Sequence, residues 1–378
     1  MEIVRESIAK DMETESMETI SGAGNWNLTI QMEEDGVTLL RCHTPDERAV
    51  LPETVWGLPV IALGDRALSP DTGGQTGDST VADSITPDSI TAGENKRGAR
   101  QLQITCGPAG AAEWNNARLR DLTLPRTLRR VGNYALYNCR ALQTIRLFDS
   151  VQIWGNGVLM NCRELDSIQI SRNGQSGAGS GENGHWSGGA ETGDNGTTAY
   201  FAGELNRELD ISVLSSDQLL LRLIFPEYRE SYEENCPAHH FDYVIEGAGY
   251  PYHHCFHQRR LNLLEYDNLW TKSRDLEPMT AIRLAYWRLR CPMELRPEAA
   301  ERYRAFLRSY LSDAAAWRIA DRDVSGLRFL LREIPPERET LARCLSLARE
   351  QGLTEAVALL LEEQRQRFSQ ADYNRFAL

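Results

Sequence analysis

Between residues 119 and 170 the apolar positions return every 23 residues. One copy reads Leu119, Leu122, Leu124, Val131, Ala135, Leu136 and Cys139. The next reads Leu142, Ile145, Leu147, Trp154, Val158, Leu159 and Cys162, and a third opens with Leu165, Ile168 and Ile170 before the pattern stops. Within each copy the first apolar residues alternate with polar ones, which is the period of a short strand showing one side chain in and the next out. A single such strand cannot bury its apolar row, so the pattern predicts coils that stack and continue one another's core. Leu119, Leu142 and Leu165 then form one buried column, and Leu122, Ile145 and Ile168 the next. The outward positions of the same strands are Asp121, Thr123, Thr144, Arg146, Phe148, Ser167 and Gln169. Gly132 and Gly155 mark the far side of each coil, where backbone freedom is expected to matter. Asn138 and Asn161 are expected to bond exposed backbone there, and Cys139 and Cys162 to pack as small apolar groups.

An L-x-x-L-x-L core at a period of 20 to 29 residues is the mark of a leucine-rich repeat. Leu122-Thr123-Leu124-Pro125, then Val131 to Leu136 and Asn138-Cys139, resemble the BspA-like leucine-rich repeats of bacteria. Gly24-Asn25-Trp26, alternating strands at 28–31 and 37–41, Leu51-Pro52, Gly57-Leu58-Pro59-Val60 and Leu63 to Leu68 are similar to the divergent first coil of such proteins, and a last strand is expected at 219–225. The resemblance implies protein binding and no reaction. Many relatives are surface adhesins. Here the opening residues 1–7 lack a basic start followed by an apolar core, so the expectation is a cytoplasmic protein, with the surface adhesin as the lesser reading.

Beyond residue 226 the period changes. Ile282, Ala285, Tyr286 and Leu289 lie on one helical face, and Tyr303, Phe306, Leu307 and Tyr310 on another. Further helices are predicted at 314–320, 324–334, 336–351 and 354–368, with Gly352 ending one of them. The fold class expected is therefore an α/β solenoid followed by an all-α domain of helical-repeat type. Its parts are an extension over 1–23, the repeats over 24–225, an aromatic and His-rich junction over 226–270, and helices over 271–378. Two Ser/Thr/Asp/Gly-rich stretches inside the repeats, 69–100 and 171–199, lack periodic apolar residues and are expected to be disordered loops.

Charge narrows the partners. The chain has 378 residues and a formal net charge of −13, which argues against nucleic acid or an anionic membrane as the main target. No stretch has the apolar length of a membrane span. The eight cysteines follow no disulfide framework, so reduced thiols are expected.

One cluster has the residue types for chemistry. Five of the seven histidines fall between 239 and 257, with Cys236 beside that stretch and Cys255 within it. Cys236, His239, His253, His254, Cys255 and His257 offer the soft and borderline ligands that zinc takes. Neither half has a known zinc spacing, however, and neighbouring rings such as His239 and His240 diverge on a regular backbone. The competing reading is a packed patch of rings, with Phe241, Tyr243, Tyr250, Tyr252, Phe256, Tyr266 and Trp270 in a hinge between domains. Residues 179–184 match G-x-G-x-x-G but sit among further glycines with no strand–helix context. H-E-x-x-H, G-x-S-x-G and P-loop patterns are absent from the sequence. The expectation is a non-enzymatic scaffold that needs no cofactor and binds another protein, with a metal-dependent protein as the alternative.

Overall fold

The computed structural model describes residues 20–21, 25–70, 101–106, 114–172, 196–235, 240–271 and 276–373. The chain divides between Ser180 and Gly181 into two compact units.

Among the described residues the first unit holds twelve strands: β1 (Ile20–Ser21), β2 (Trp26–Met32), β3 (Val37–His43), β4 (Arg48–Val50), β5 (Thr54–Val55), β6 (Leu58–Leu63), β7 (Gln101–Cys106), β8 (Asp121–Thr123), β9 (Arg130–Val131), β10 (Thr144–Phe148), β11 (Ile153–Trp154) and β12 (Ser167–Arg172). Two ladders organise them. The first is the parallel run β4, β8, β10 and β12, in which Asp121 pairs with Thr144 and Thr144 with Ser167. Both steps are 23 residues, the spacing of the apolar pattern. The second is the parallel run β6, β9 and β11, extended by the antiparallel β2–β3 pair, with β7 outside β2. The two-residue strands β9 and β11 carry too little alternation to be read from the sequence.

The named columns are buried as expected. Leu119, Leu142, Leu165, Leu122, Ile145 and Ile168 are all fully shielded. The glycines act differently from expectation. Neither Gly132 nor Gly155 adopts a positive φ; instead, an added Cβ would lie 2.5 Å from backbone atoms of the preceding coil. Space is what these positions require, because each glycine N–H donates to a carbonyl one coil back: Gly132 to Leu63 and Gly155 to Val131, both at 2.8 Å. The left-handed residues come two positions later, at Arg66, Tyr134 and Gly157.

Polar side chains also stack between coils. Asp65 Oδ1 accepts the Asn133 N–H at 2.7 Å, and Asn133 Oδ1 accepts the Asn156 N–H at 2.9 Å. Asn161 Nδ2 donates to Asn138 Oδ1 at 3.0 Å, so this pair bonds side chain to side chain as well as sitting in the left-handed region. The Cys139 thiol donates to Leu68 O and the Cys162 thiol to Leu136 O. Buried Asn116 clamps three backbone groups, donating to Cys42 O and Leu68 O and accepting from the Thr44 N–H.

The second unit contains α1 (Thr197–Glu204), the antiparallel hairpin β13 (Leu209–Ser215) and β14 (Gln218–Phe225), and a second hairpin β15 (Arg229–Asn235) and β16 (His240–Glu246). Then come α2 (Tyr250–His253), the short pair β17 (Phe256–His257) and β18 (Arg260–Leu261), and α3 (Leu263–Leu269). The remainder is helical: α4 (Pro278–Arg290), α5 (Pro297–Ser309), α6 (Leu311–Ala320), α7 (Val324–Glu333), α8 (Arg338–Glu350) and α9 (Thr354–Tyr373). The strand expected at 219–225 is present as β14, antiparallel to β13, and it packs against α4. Helix α7 is capped by Asp323, which accepts the Gly326 N–H, and α8 ends at Gly352 with φ +65°.

The expected loops need trimming at their ends. Ser171 and Arg172 continue β12, and Thr197 opens α1, whose Thr197, Thr198, Phe201 and Ala202 are buried. Pairing with β10 and apolar burial supply there the stabilisation that composition alone did not suggest. Residues 71–100 and 173–195, including the glycine-rich motif, lie outside the described residues.

Candidate functional site

The outward residues of the first ladder form three cross-strand rows. Arg48, Asp121, Thr144 and Ser167 make one; Val50, Thr123, Arg146 and Gln169 make the next; Phe148 and Ser171 pair in the third. Asp121, Thr123, Thr144, Arg146, Phe148, Ser167 and Gln169 are all half-buried, whereas Ala49, Leu122, Ile145 and Ile168 between them are closed off from solvent. The alternation that buries one set therefore presents the other. All seven predicted residues are brought onto one face. Arg48 and Val50 were missed, because the first coil lacks the L-x-x-L-x-L core. A signal for them existed: Ala49-Val50-Leu51-Pro52 aligns with Leu122-Thr123-Leu124-Pro125.

Arginines outnumber carboxylates on this face. The single carboxylate of Asp121 takes Arg48 Nε at 3.0 Å and Arg146 Nη1 at 3.8 Å, leaving one guanidinium charge in excess. Arg126 lies over the Phe148 ring, 5.6 Å from its centre, and pairs with Glu53 at 3.6 Å. Glu53 also accepts the Arg126 backbone N–H at 3.0 Å, which fixes where that arginine leaves the chain. At the edge, Arg118 bonds Glu47 at 2.8 Å and holds that carboxyl below its usual range. Residues 114–172 carry nine arginines against four acidic residues, a balance of +5 inside a chain of −13. Exposed pairs of this kind contribute little to stability. They suit the binding of carboxylates and of an apolar group against Phe148.

The His/Cys segment is not assembled as a ligand set. His253 is buried, with Nδ1 2.8 Å from Ala202 O and Nε2 2.9 Å from Pro226 O. Burial pushes its pKa down, and the two carbonyls oppose that shift. His254 stacks on Tyr250 with ring centres 4.0 Å apart, and its Nδ1 faces Tyr250 O. The Cys255 thiol donates to Tyr252 O at 2.9 Å, and burial raises its pKa. His257 is exposed beside Glu265, 3.2 Å away. Four of the six candidate ligands thus point to separate partners, and Cys236 and His239 lie outside the described residues. Among the described residues no three His, Cys, Asp or Glu side chains converge on a point.

Rings do pack in this stretch. Phe225, Phe256, Tyr252 and Tyr266 stack edge and face within the second unit, and Tyr266 donates to Ile224 O at 2.5 Å. Trp270 packs on Tyr303 and Phe306. Tyr243 is a correction: it stands on β16, 45% exposed, because its strand pairs only with β15 and is covered by no helix among the described residues. The Phe241 side chain is outside the described set.

A buried ionic knot in the helices went unread. Arg288 gives Nε and Nη2 to the two oxygens of Asp267 at 2.8 and 2.9 Å, and also donates to Cys291 O and Met293 O. Tyr303 donates to Asp267 at 2.8 Å. Both charged side chains are at most 3% exposed. Every partner is polar-satisfied, so the knot ties α3, α4 and α5 together rather than offering a reactive group. The only hint in the sequence is an arginine inside the apolar run of α4.

Residues 110–178 match the family described as BspA type leucine rich repeat region (6 copies). Two solved bacterial structures are similar. One is a T. pallidum leucine rich repeat protein, at 16% identity and a TM-score of 0.24, covering 41% of this chain and 52% of that one. The other is a leucine rich cell surface protein from Faecalibacterium prausnitzii A2-165, at 17% identity and a TM-score of 0.23, covering 42% and 34%. The chain thus spans about half the length of the first and a third of the second. No curated protein matches. The chain carries a BspA-type leucine-rich repeat segment followed by a helical region.

Proposed function

We propose that this chain is a non-enzymatic protein-binding scaffold, and that the face of β4, β8, β10 and β12 is its binding surface. The observation that carries the reading is the set of three cross-strand rows, where Arg48 is exposed and Arg146 and Phe148 are half-exposed on a parallel ladder. Leucine-rich repeats generally bind proteins through a strand-lined face, and Arg and aromatic side chains are the usual anchors. In this reading the 23-residue coils form a short solenoid, the repeats and the helices serve as separate binding parts, and Arg48, Arg126, Arg146 and Phe148 receive an acidic segment of the partner. An intracellular setting belongs to the proposal. It is supported by Cys139, Cys162 and Cys255, whose thiols donate to backbone carbonyls, a role that a disulfide would remove.

The test is capture of partners by the intact chain and by Arg146→Glu with Phe148→Ala. A partner retained by the wild type and lost by the folded double variant supports the reading. Capture that survives the change moves the interface off this face.

A further inference from the structure

The β15–β16 ribbon is built as an unfinished sheet. Tyr232 pairs across it with Tyr243, Glu230 with Ile245, and Ser231 with Val244. Among the described residues neither strand pairs with a third. Its apolar side chains face water: Tyr232 is 73% exposed, and Tyr243, Val244 and Ile245 are each more than a third exposed. The two tyrosine rings lie 4.9 Å apart, and the Tyr243 hydroxyl bonds the Glu230 carboxylate. An isolated two-stranded ribbon is marginal in water, and each outer edge offers a row of open N–H and C=O groups.

Charge decides what can complete it. Residues 227–246 contain six acidic residues and one arginine. A second copy of the ribbon would set acid against acid, which disfavours self-pairing. We propose that the β15–β16 ribbon is a docking site for a basic, amphipathic extended segment of a partner protein, which adds to it as a third strand. Main-chain bonds supply the affinity in this mode and alternate side chains the selectivity. Lys or Arg side chains of the incoming strand meet Glu230 and the faces of Tyr232 and Tyr243, which share one face of the ribbon, while its apolar side chains cover Val244 on the other. The tyrosine pair offers a broad apolar surface that loses little freedom on binding. This site is independent of the repeat face.

A labelled peptide of roughly eight alternating lysines and valines, about one strand long, titrated onto the full chain by fluorescence anisotropy, tests it. Saturable binding is expected, weakening as salt is raised. Affinity should fall about 10-fold or more when alternate peptide nitrogens are methylated, since this blocks one hydrogen-bonding edge. The same loss is expected in Tyr232→Ser with Ile245→Ser, whose thermal midpoint should match the wild type because both side chains are already exposed. Arg146→Glu with Phe148→Ala should leave the peptide affinity unchanged. The proposal is overturned if the methylated peptide binds equally, which leaves only diffuse charge attraction. Equal binding by the serine variant, equal binding of a Glu–Val peptide, or dimers of the chain that the serine variant disperses would overturn it as well.

Discussion

The two units solve the same problem, satisfying buried polar groups, in opposite ways. In the repeats each coil bonds the next, and the bonds themselves repeat. Gly132 and Gly155 donate one coil back, and Asp65, Asn133 and Asn156 pass side-chain bonds along a line. In the second unit the buried polar groups find non-repeating partners far along the chain: Arg288 with Asp267, Tyr303 with Asp267, and His253 between two carbonyls. Repetition spreads stability over many equivalent positions. A unique knot concentrates it in a few residues. Mutation should therefore be graded in the first unit and abrupt in the second.

The largest effect is expected at the knot. Arg288→Met leaves Asp267 charged and buried without its partner, and should cost about 3–5 kcal/mol in chemical denaturation. Adding Asp267→Leu should recover part of that loss, because it removes the stranded charge. A cost below about 1 kcal/mol would show that the knot is not where the second unit concentrates its stability. Next come the columns: Leu122→Ala or Ile145→Ala should each cost about 2–5 kcal/mol through the cavity left behind. Similar values for both would support equivalence of the coils, and an unchanged midpoint would remove the stacked core from the account. Gly132→Ala and Gly155→Ala should follow at about 1–3 kcal/mol, since the new methyl meets backbone of the adjacent coil.

A smaller and pH-dependent effect belongs to His253. Its folded pKa is lowered by burial, so the neutral ring is favoured in the native state. The corresponding stability is fully present above the unfolded value of about 6.5. It is lost as pH falls from there toward the folded pKa, with a slope of at most about 1.4 kcal/mol per pH unit. Denaturation midpoints of wild type and His253→Gln measured from pH 7.5 to 5 should converge toward acid. Parallel curves would remove His253 from the acid response. The smallest effect is expected on the arginine face, where Arg48→Ala should change stability by less than about 0.5 kcal/mol. A larger loss would mean that these arginines hold the ladder rather than await a partner.

Legibility followed periodicity. The columns from Leu119 to Ile170, the seven outward residues and the helices from 278 onward were readable because one residue predicts the next at a fixed spacing. The purpose of Gly132 was misread because sequence shows a missing side chain but not the neighbour that requires its absence. Arg48 was overlooked because its coil carries Ala49 where the others carry Leu or Ile, although Leu51-Pro52 repeats Leu124-Pro125. The β15–β16 ribbon was missed because a run of alternating aromatic and acidic residues reads equally as a packed patch.

By itself the sequence determined the repeat spacing, the in-and-out alternation of the strand face, the change to helical period, and the arginine excess of 114–172 within an acidic chain. All of these are local, because a strand or a helix turns its side chains by a constant angle per residue. Only the tertiary structure decided which groups meet across long separations. It set Asn116 against Cys42 and Leu68, Arg288 against Asp267, and His253 between Ala202 and Pro226. It also sent His254, Cys255 and His257 to different neighbours. Those pairings depend on how whole elements pack, and no spacing along the chain encodes the direction in which a buried side chain finds its partner.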